Sequence, residues 1–316
     1  MSDAPSVSVI MLKVLLALVP GIFAYAWIYG GGILVTITLA TITALAAEAA
    51  LLKIRQRPIK PHLLDLSAVV TAWLLALALP PLAPWWLIVV GTLFAIVIAK
   101  QLYGGLGYNP FNPAMVGYAV LLISFPLIMT KWPAPLVLAQ TKLSFLDQLS
   151  FIFHQALPNN IQVDAITSAT PLDYLKTHLK LNQSLSEISQ APIFGVYGAK
   201  GGEVVTGAYL LGGLYLMQQR IISWHLPTAF LGALSAIALV FYVADPEYFA
   251  SPLFHLTSGA SLLCAFFIIT DPVSGPTTPR GKLYFAAAVG VLTYLIRVYG
   301  GYPDGVAFAV LIMNMC

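Results

Sequence analysis

MLKVLLALVPGIFAYAWIYGGGILVTITLATITALAAEAALL, residues 11–52, carries only two charged side chains, Lys13 and Glu48. Gly30-Gly31-Gly32 divides it into two apolar runs of about twenty residues, the length a helix needs to cross a bilayer. A helix at a soluble protein's surface keeps one face polar; neither run does. Both are therefore read as membrane-spanning helices joined by a glycine turn. Outward from this pair, apolar runs recur near 64–80, 84–99 and 113–130. After a long polar stretch they return near 204–219, 226–243, 254–270, 283–298 and from 305 onward. The expected fold is all-α: a polytopic integral membrane protein of about ten transmembrane helices with one long loop. Spans 1–5 occupy residues 1–130, the loop 131–203, and spans 6–10 residues 204–316. The last run, GVAFAVLIMNMC (305–316), is too short to cross alone, so the reading favours a chain that continues past Cys316.

Composition excludes other classes. The 316 residues are 59% hydrophobic and 9% charged, whereas soluble domains carry about 25% charged residues to wet their surface. The net charge of +3 is spread along the chain, so no basic face points to nucleic acid. Cys264 and Cys316 lie far apart in apolar runs, which excludes a disulfide framework and an iron–sulfur cluster. His62, His154, His178, His225 and His255 show no metal spacing, and there is neither a P-loop nor a GxGxxG before a helix. The N-terminus lacks a basic leader and a small-residue cleavage site, so its apolar run is read as the first span.

Orientation follows from Lys and Arg in short loops, which favour the cytoplasmic side. KIRQRPIKPH (53–62) holds Lys53, Arg55, Arg57 and Lys60, and alternation puts Lys100, Arg220, Arg280 and Lys282 on the same side. The opposite turns, YGGG, PPLAP and ADPEYFASP, contain neither residue; only Arg297 and the long loop bring basic groups there. The N-terminus is thus expected in the cytoplasm, and the long loop outside, which in a bacterium is the periplasm.

The stretch with chemical content lies in that loop: NIQVDAITSATPLDYLK, residues 160–176. Small hydroxyl residues surround Thr170, with Asp164 six positions upstream. Pro171 keeps the preceding residue out of the helical region, so Thr170 is extended and its hydroxyl is presented. Ala169 leaves room for a second protein to approach. Local sequence alone also fits a plain Ser/Thr turn opening a helix, TPLDYLKTHLK.

Asp164-Ala165-Ile166-Thr167-Ser168-Ala169-Thr170 resembles D-x-x-[S/T]-G-A-T, where a flavin transferase attaches FMN by a phosphoester to the last threonine. With GGLGYNPFNPAMVGYA (104–119), TDPVSGPTTPRGK (270–282) and YGGYPDGVAFAVLIMNMC (299–316), essentially the whole chain resembles one family. Its members are the D subunits of Rnf electron-transport complexes and the kindred B subunits of the sodium-pumping NADH:quinone reductase. The resemblance implies a flavoprotein with covalent FMN on Thr170, a phosphoprotein in that sense. It also implies a bacterial inner-membrane location and a complex of several subunits that passes electrons between ferredoxin and NAD while moving ions. Such a chain is one subunit of a translocase, without a complete active site of its own. Ser168 departs from the motif's glycine, and attachment efficiency is the property it touches.

Other constellations have two readings each. YGGLGYNPFNPA (103–114), with Gly104, Gly105, Asn109 and Asn112, is either a tight cytoplasmic loop or a re-entrant turn lining a cofactor or ion path, since irregular backbone at membrane depth must line a cavity or be buried in protein. The resemblance adds that a second, non-covalent flavin, riboflavin, lies near this region. DPVSGPTTPRGK (271–282) is a rigid turn or, through Asp271, part of the same path. Glu48, about one turn from the end of span two, either snorkels or serves a function; Asp65 is read as a helix cap and Asp304 as an interface turn. No chain of acids runs through the interior, so ion movement needs partner subunits or uses hydroxyls and carbonyls. The two Pro/Gly-rich stretches are loosely alike, which would make a parallel repeat with an offset of four spans; no clean repeat is evident. The competing functions are a small-solute channel or secondary transporter, for which Pro/Gly-broken segments in both halves are the usual pointer, and a purely structural membrane subunit.

Overall fold

The computed structural model describes residues 6–139, 141–158, 161–302 and 304–316. Ser6 accepts the Val9 N–H and opens α1 (Val7–Tyr29); the turn at Gly30 leads into α2 (Gly32–Ile54). Next come α3 (Ile59–Leu63), α4 (Ser67–Ala78) and α5 (Trp85–Gln101), whose second half, Phe94–Gln101, is wound as a π-helix. Asn112 caps α6 (Pro113–Ser124), and the short α7 (Pro126–Met129) follows. The connection holds β1 (Trp132–Pro133), α8 (Phe145–His154), β2 (Thr167–Ser168), α9 (Pro171–Lys180) and α10 (Leu185–Ile188). Then come α11 (Gly202–Gln218), α12 (His225–Ala244), α13 (Pro252–Thr257), α14, which begins as Ser261–Leu263 and runs on as π-helix Cys264–Ile268, α15 (Pro279–Tyr299) and α16 (Val306–Asn314).

Four helices among the described residues, α1, α2, α12 and α15, are long and apolar enough to cross a membrane; α4, α5 and α6 are shorter and apolar. The sequence expects 254–270 and 113–130 to be single spans, and both are corrected. The first breaks at Ser258-Gly259-Ala260 between α13 and α14, and the second bends at Phe125 between α6 and α7.

The expectation of no clean repeat, or of a loose parallel one, is also corrected: the helices form an inverted repeat. Elements of the second half start 193–195 residues after their counterparts: Val7 and Gly202, Gly32 and His225, Ser67 and Ser261, Trp85 and Pro279, Pro113 and Val306. The counterparts α1 and α11 run antiparallel. Lys13 donates to Gln219 at 3.0 Å, Ala17 meets Gly212, Gly21 meets Tyr209, and Ile28 meets Gly201. A Cβ on Gly212 would strike the Ala17 carbonyl, so this crossing depends on the bare backbone there. The pair α6 and α16 is antiparallel too, the Asn112 N–H donating to Asn314 Oδ1 at 3.0 Å. In each half the third span is broken at a residue with φ of +63°, Leu66 before α4 and Gly259 before α14. For leucine that backbone is a genuine outlier. A Cβ on Gly259 would lie 2.7 Å from Leu172 and 2.8 Å from Arg297.

The two ends of the bundle differ. At one, Arg55 donates to the Gln101 carbonyl (2.8 Å) and Arg57 to that of Gly104 (3.2 Å), joining the basic turn after α2 to the glycine-rich turn after α5. At the other the connection 131–201 folds over the α1–α2 turn: Gln148 accepts the Gly32 N–H at 2.7 Å, and Leu136 donates to the Ile28 carbonyl at 2.8 Å.

Candidate functional site

Thr170 is held by three devices. β1 and β2 pair antiparallel, Trp132 with Ser168 and Pro133 with Thr167, which fixes the strand leading into it. Thr170 itself is extended (φ −70°, ψ 156°), as Pro171 requires, and its Oγ1 accepts the Asp173 N–H at 3.3 Å, making it the N-cap of α9. On the inner face of α9, Leu172 and Leu175 pack with Ile188, Ala250 and Phe254. Lys176 donates to the carbonyls of Tyr302 (2.9 Å) and Ile296 (3.4 Å), which pins the helix to the end of α15. Burial, with Lys180 close by, pulls the Lys176 ammonium below the usual lysine range, and Asp173 opposes this. Thr170 is thus both the helix cap that local sequence suggests and a half-buried hydroxyl facing a cavity.

That cavity offers about 170 Å³ to the centres of water molecules and reaches down between α1, α6, α11 and α14. Tyr25, Tyr29, Tyr118, Tyr209 and Trp132 supply an aromatic wall. The hydroxyls of Tyr25 and Tyr209 are buried without a hydrogen-bond partner among the described residues, a costly condition for a polar group. Two helix N-termini, at Ala260 and Val306, border the cavity with Asp304 between them. Asp304 accepts the Ala260 N–H on Oδ2 (2.9 Å) and that of Val306 on Oδ1 (3.3 Å).

A second cavity, about 180 Å³ on the same measure, lies toward the start of α1 and is lined by Ser67, Lys100, Asn109, Asn112, Phe267 and Asp271 among others. Asn112 accepts the Met115 N–H and donates to the Ile268 carbonyl, both at 3.2 Å, so it ties α6 to the π-helical end of α14. Asp271 accepts from Ser274 Oγ at 2.7 Å. The two cavities lie along the same helices: Val14 lines the second and Tyr25 the first, Ala114 the second and Met115 the first.

The candidate residues are thereby sorted. Thr170 lines the first cavity; Ser168 and Ala169 line a small pocket beside it. Asp164 is exposed in the 3₁₀ turn Val163–Ala165, and Thr167 Oγ1 donates to the Val163 carbonyl at 3.1 Å, so neither lines these spaces. Asn109, Asn112 and Asp271 share the second cavity. Gly104 and Gly105, with φ of +127° and +99°, make the turn beneath it and are not part of its lining.

Sequence reasoning misses two ion pairs. Glu48 does not snorkel: it is 1% exposed, its Oε1 accepting from Lys100 at 2.7 Å and from Gln101 at 2.6 Å. Lys100 is correspondingly not a loop residue but a buried one in the π-helix, donating also to Ser67 Oγ at 2.7 Å beside the α4 break. Arg297 is likewise buried, and Asp304 is more than an interface turn. The guanidinium pairs with Asp304 at 3.0 Å and donates to the carbonyls of His255 (2.7 Å) and Ser258 (3.2 Å) across the break between α13 and α14. Each half therefore holds its broken third span with a base from its fourth.

Fold and cavities together define a helical membrane protein built from an inverted repeat, with two ligand-sized spaces between its helices. All 316 positions match the model of the NQR2, RnfD, RnfE family, and the chain belongs to that family. Among curated relatives, proteins described as the D subunit of an ion-translocating oxidoreductase complex, from Yersinia pseudotuberculosis serotype O:1b (strain IP 31758) and Aliivibrio salmonicida (strain LFI1238), are 55% and 51% identical to it. The alignments take in 97% and 98% of this chain and 89% and 91% of those relatives. One of the same description from Salmonella heidelberg (strain SL476) is 52% identical, over 97% of this chain and 89% of the relative.

Proposed function

We propose that this chain is the membrane subunit of an Rnf-type, ion-translocating ferredoxin:NAD oxidoreductase complex, and that it carries FMN esterified to Thr170. The observation that carries the flavin is the pairing of a presented Thr170 hydroxyl with an aromatic cavity containing two unpartnered tyrosine hydroxyls. These residues fit the group. Tyr25 and Tyr209 offer O–H donors to a heteroaromatic ring that has acceptors of its own, and the aromatic wall excludes water from it. Bound there, a flavin supplies one- and two-electron transfer. Thr170 Oγ1 forms the bond to phosphorus when a flavin transferase presents a pyrophosphate-activated flavin. The P–O bond of the pyrophosphate breaks, a nucleoside monophosphate leaves, and the hydroxyl proton passes to a base on the transferase. The role of β1–β2, Lys176 and the α9 cap is to keep Thr170 at the mouth of the cavity.

The same proposal places the chain in the inner membrane with about ten crossings and a cytoplasmic N-terminus. It divides the chain into spans 1–130, a periplasmic connection 131–203 and spans 204–316. Support comes from the basic turn after α2 lying at one end of the bundle, against the glycine-rich turn, and the connection folding over the other end. In the second cavity Asn109 and Asn112 are assigned to a non-covalent riboflavin or the ion path, with Gly104 and Gly105 shaping the turn beneath. The partners are the other subunits of the complex, the flavin transferase during maturation, and the bilayer.

A small-solute channel or secondary transporter is the second reading, favoured by broken spans in both halves of an inverted repeat. Against it, Lys100 and Arg297, each neutralised by an acid, stand beside the two breaks. A denaturing gel of membranes from cells expressing the full chain with a flavin transferase separates the two. The flavoprotein reading expects ultraviolet-excited fluorescence at the mass of the chain. A dark band moves the transporter to the front.

A further inference from the structure

We propose that the small pocket behind Thr170 is the phosphoryl subsite of the flavin ester, and that Lys200 supplies its counter-charge. This rests on the assignment of the ester to Thr170.

Thr170 lies on the boundary of two spaces of very different size. The large cavity takes about 170 Å³ and the pocket beside it about 30 Å³, and Tyr29, Trp132, Thr170, Pro171 and Ala199 line both. On this measure one water needs roughly 10–15 Å³, so the pocket has room for a group of a few heavy atoms and none for a fused three-ring system. A flavin esterified at Thr170 has a division of the same kind: a broad ring system at one end and a single tetrahedral phosphoryl group next to the threonine. The ring belongs in the aromatic cavity, and the phosphoryl group in the pocket.

The charge of the pocket agrees. A phosphoryl group esterified on two sides carries one negative charge, and the first turn of α9 already contributes the Asp173 carboxylate. Lys200 is the one charged side chain among the residues lining the pocket, and its ammonium is in no ion pair or side-chain hydrogen bond among the described residues. Its position is built. The Lys200 N–H donates to the Ile193 carbonyl at 3.0 Å, Phe194 and Ala199 form an antiparallel bridge, and Gly195 donates to Gly198 at 2.7 Å. Glu203 accepts the N–H groups of Tyr197 (2.6 Å) and Gly198 (2.8 Å), closing the hairpin that delivers Lys200 to the pocket. Nothing in the folding of this hairpin requires a lysine, since the contacts that define it are made by its backbone and by Glu203.

The test uses the full chain in membranes, with Lys200→Arg, Lys200→Met and Lys200→Glu set beside wild type and Thr170→Ala, a purified flavin transferase and its flavin donor. Flavin per chain is read with time by intact mass and in-gel fluorescence, and exposure of the attached ring by iodide quenching. Lys200 is exposed, so the variants fold, which equal amounts of chain in the membrane verify. The expected order of labelling rate is wild type and Lys200→Arg together, then Lys200→Met, then Lys200→Glu roughly tenfold below wild type, because a near attraction has become a repulsion. Iodide quenching of the attached ring rises in the same order. Labelling and quenching of Lys200→Glu equal to wild type overturn the subsite while leaving the ester intact, as does a Lys200→Arg as slow as Lys200→Glu. A wild type that takes no flavin overturns the ester and the subsite together.

Discussion

Replacing Arg297 by methionine removes a guanidinium that joins three parts of the chain. Its side chain is 1% exposed, and it pairs with Asp304 at 3.0 Å while donating to the carbonyls of His255 at 2.7 Å and Ser258 at 3.2 Å. Methionine keeps much of the stem's volume, so the loss is electrostatic more than steric. The carbonyls of His255 and Ser258 keep the Ser261 hydroxyl, at 2.6 Å and 3.3 Å, so losing the guanidinium costs them less than a fully orphaned group's about 1–3 kcal/mol. Stripping one partner from a buried ion pair costs about 3–5 kcal/mol. These figures overlap, since both count the same desolvated groups. Asp304 keeps the N–H groups of Ala260 and Val306, and its side chain is 20% exposed. The net loss therefore falls near the lower end, about 3 kcal/mol. Adding Asp304→Asn removes the unpaired charge and restores about 1–2 kcal/mol of it. The assay is unfolding of the purified full chain in mild detergent as the mole fraction of SDS rises, followed by circular dichroism. The single variant unfolds first, the double variant between it and wild type. A single variant with the wild-type midpoint, or a double variant no better than the single, refutes the reasoning that this pair holds the broken helix.

Two further outcomes follow from the same packing. Lys100→Met leaves the buried Glu48 with Gln101 as its one donor and Oε2 without a partner among the described residues and costs about 3–5 kcal/mol, whereas Lys100→Met with Glu48→Met approaches wild type; the same SDS titration reads both, and equal losses in single and double contradict the pairing. Gly212→Leu forces α1 and α11 apart at the Ala17 carbonyl and costs about 1–3 kcal/mol or more. Gly232→Ala, where an added Cβ meets nothing within 4 Å, is neutral or gains up to about 1 kcal/mol from helix propensity, and equal effects at the two glycines would contradict the close crossing.

Apolar runs without a polar face are visible in a single sequence, and so are the bounds of α1, α2, α12 and α15 to within a few residues. Thr170 as an extended residue opening a helix is equally legible, because Pro171 excludes the helical region locally and Asp173 provides the first-turn acid. Relations between distant segments are not. The inverted repeat leaves no shared motif, since what recurs is the spacing of the helix starts and a backbone angle. At the first break that angle belongs to Leu66, whose side chain gives no sign of it; at the second, Gly259 between Ser258 and Ala260 is a readable signal. Glu48 meets Lys100 from fifty-two positions away, at the π-helical end of α5, and no local pattern in the sequence joins the two. Arg297 and Asp304 are seven residues apart, yet what they hold is the backbone around residue 258. Charge counting reads Arg297 as a residue outside the membrane for the same reason, as the fold supplies the partner that lets it be buried.

The most direct measurement is the intact mass of the full chain and of Thr170→Ala, each purified from cells that also express a flavin transferase. The account predicts a wild type heavier than its sequence by FMN less one water, and a Thr170→Ala chain at its sequence mass. A wild type at its sequence mass, or a Thr170→Ala chain that still carries the flavin, contradicts it.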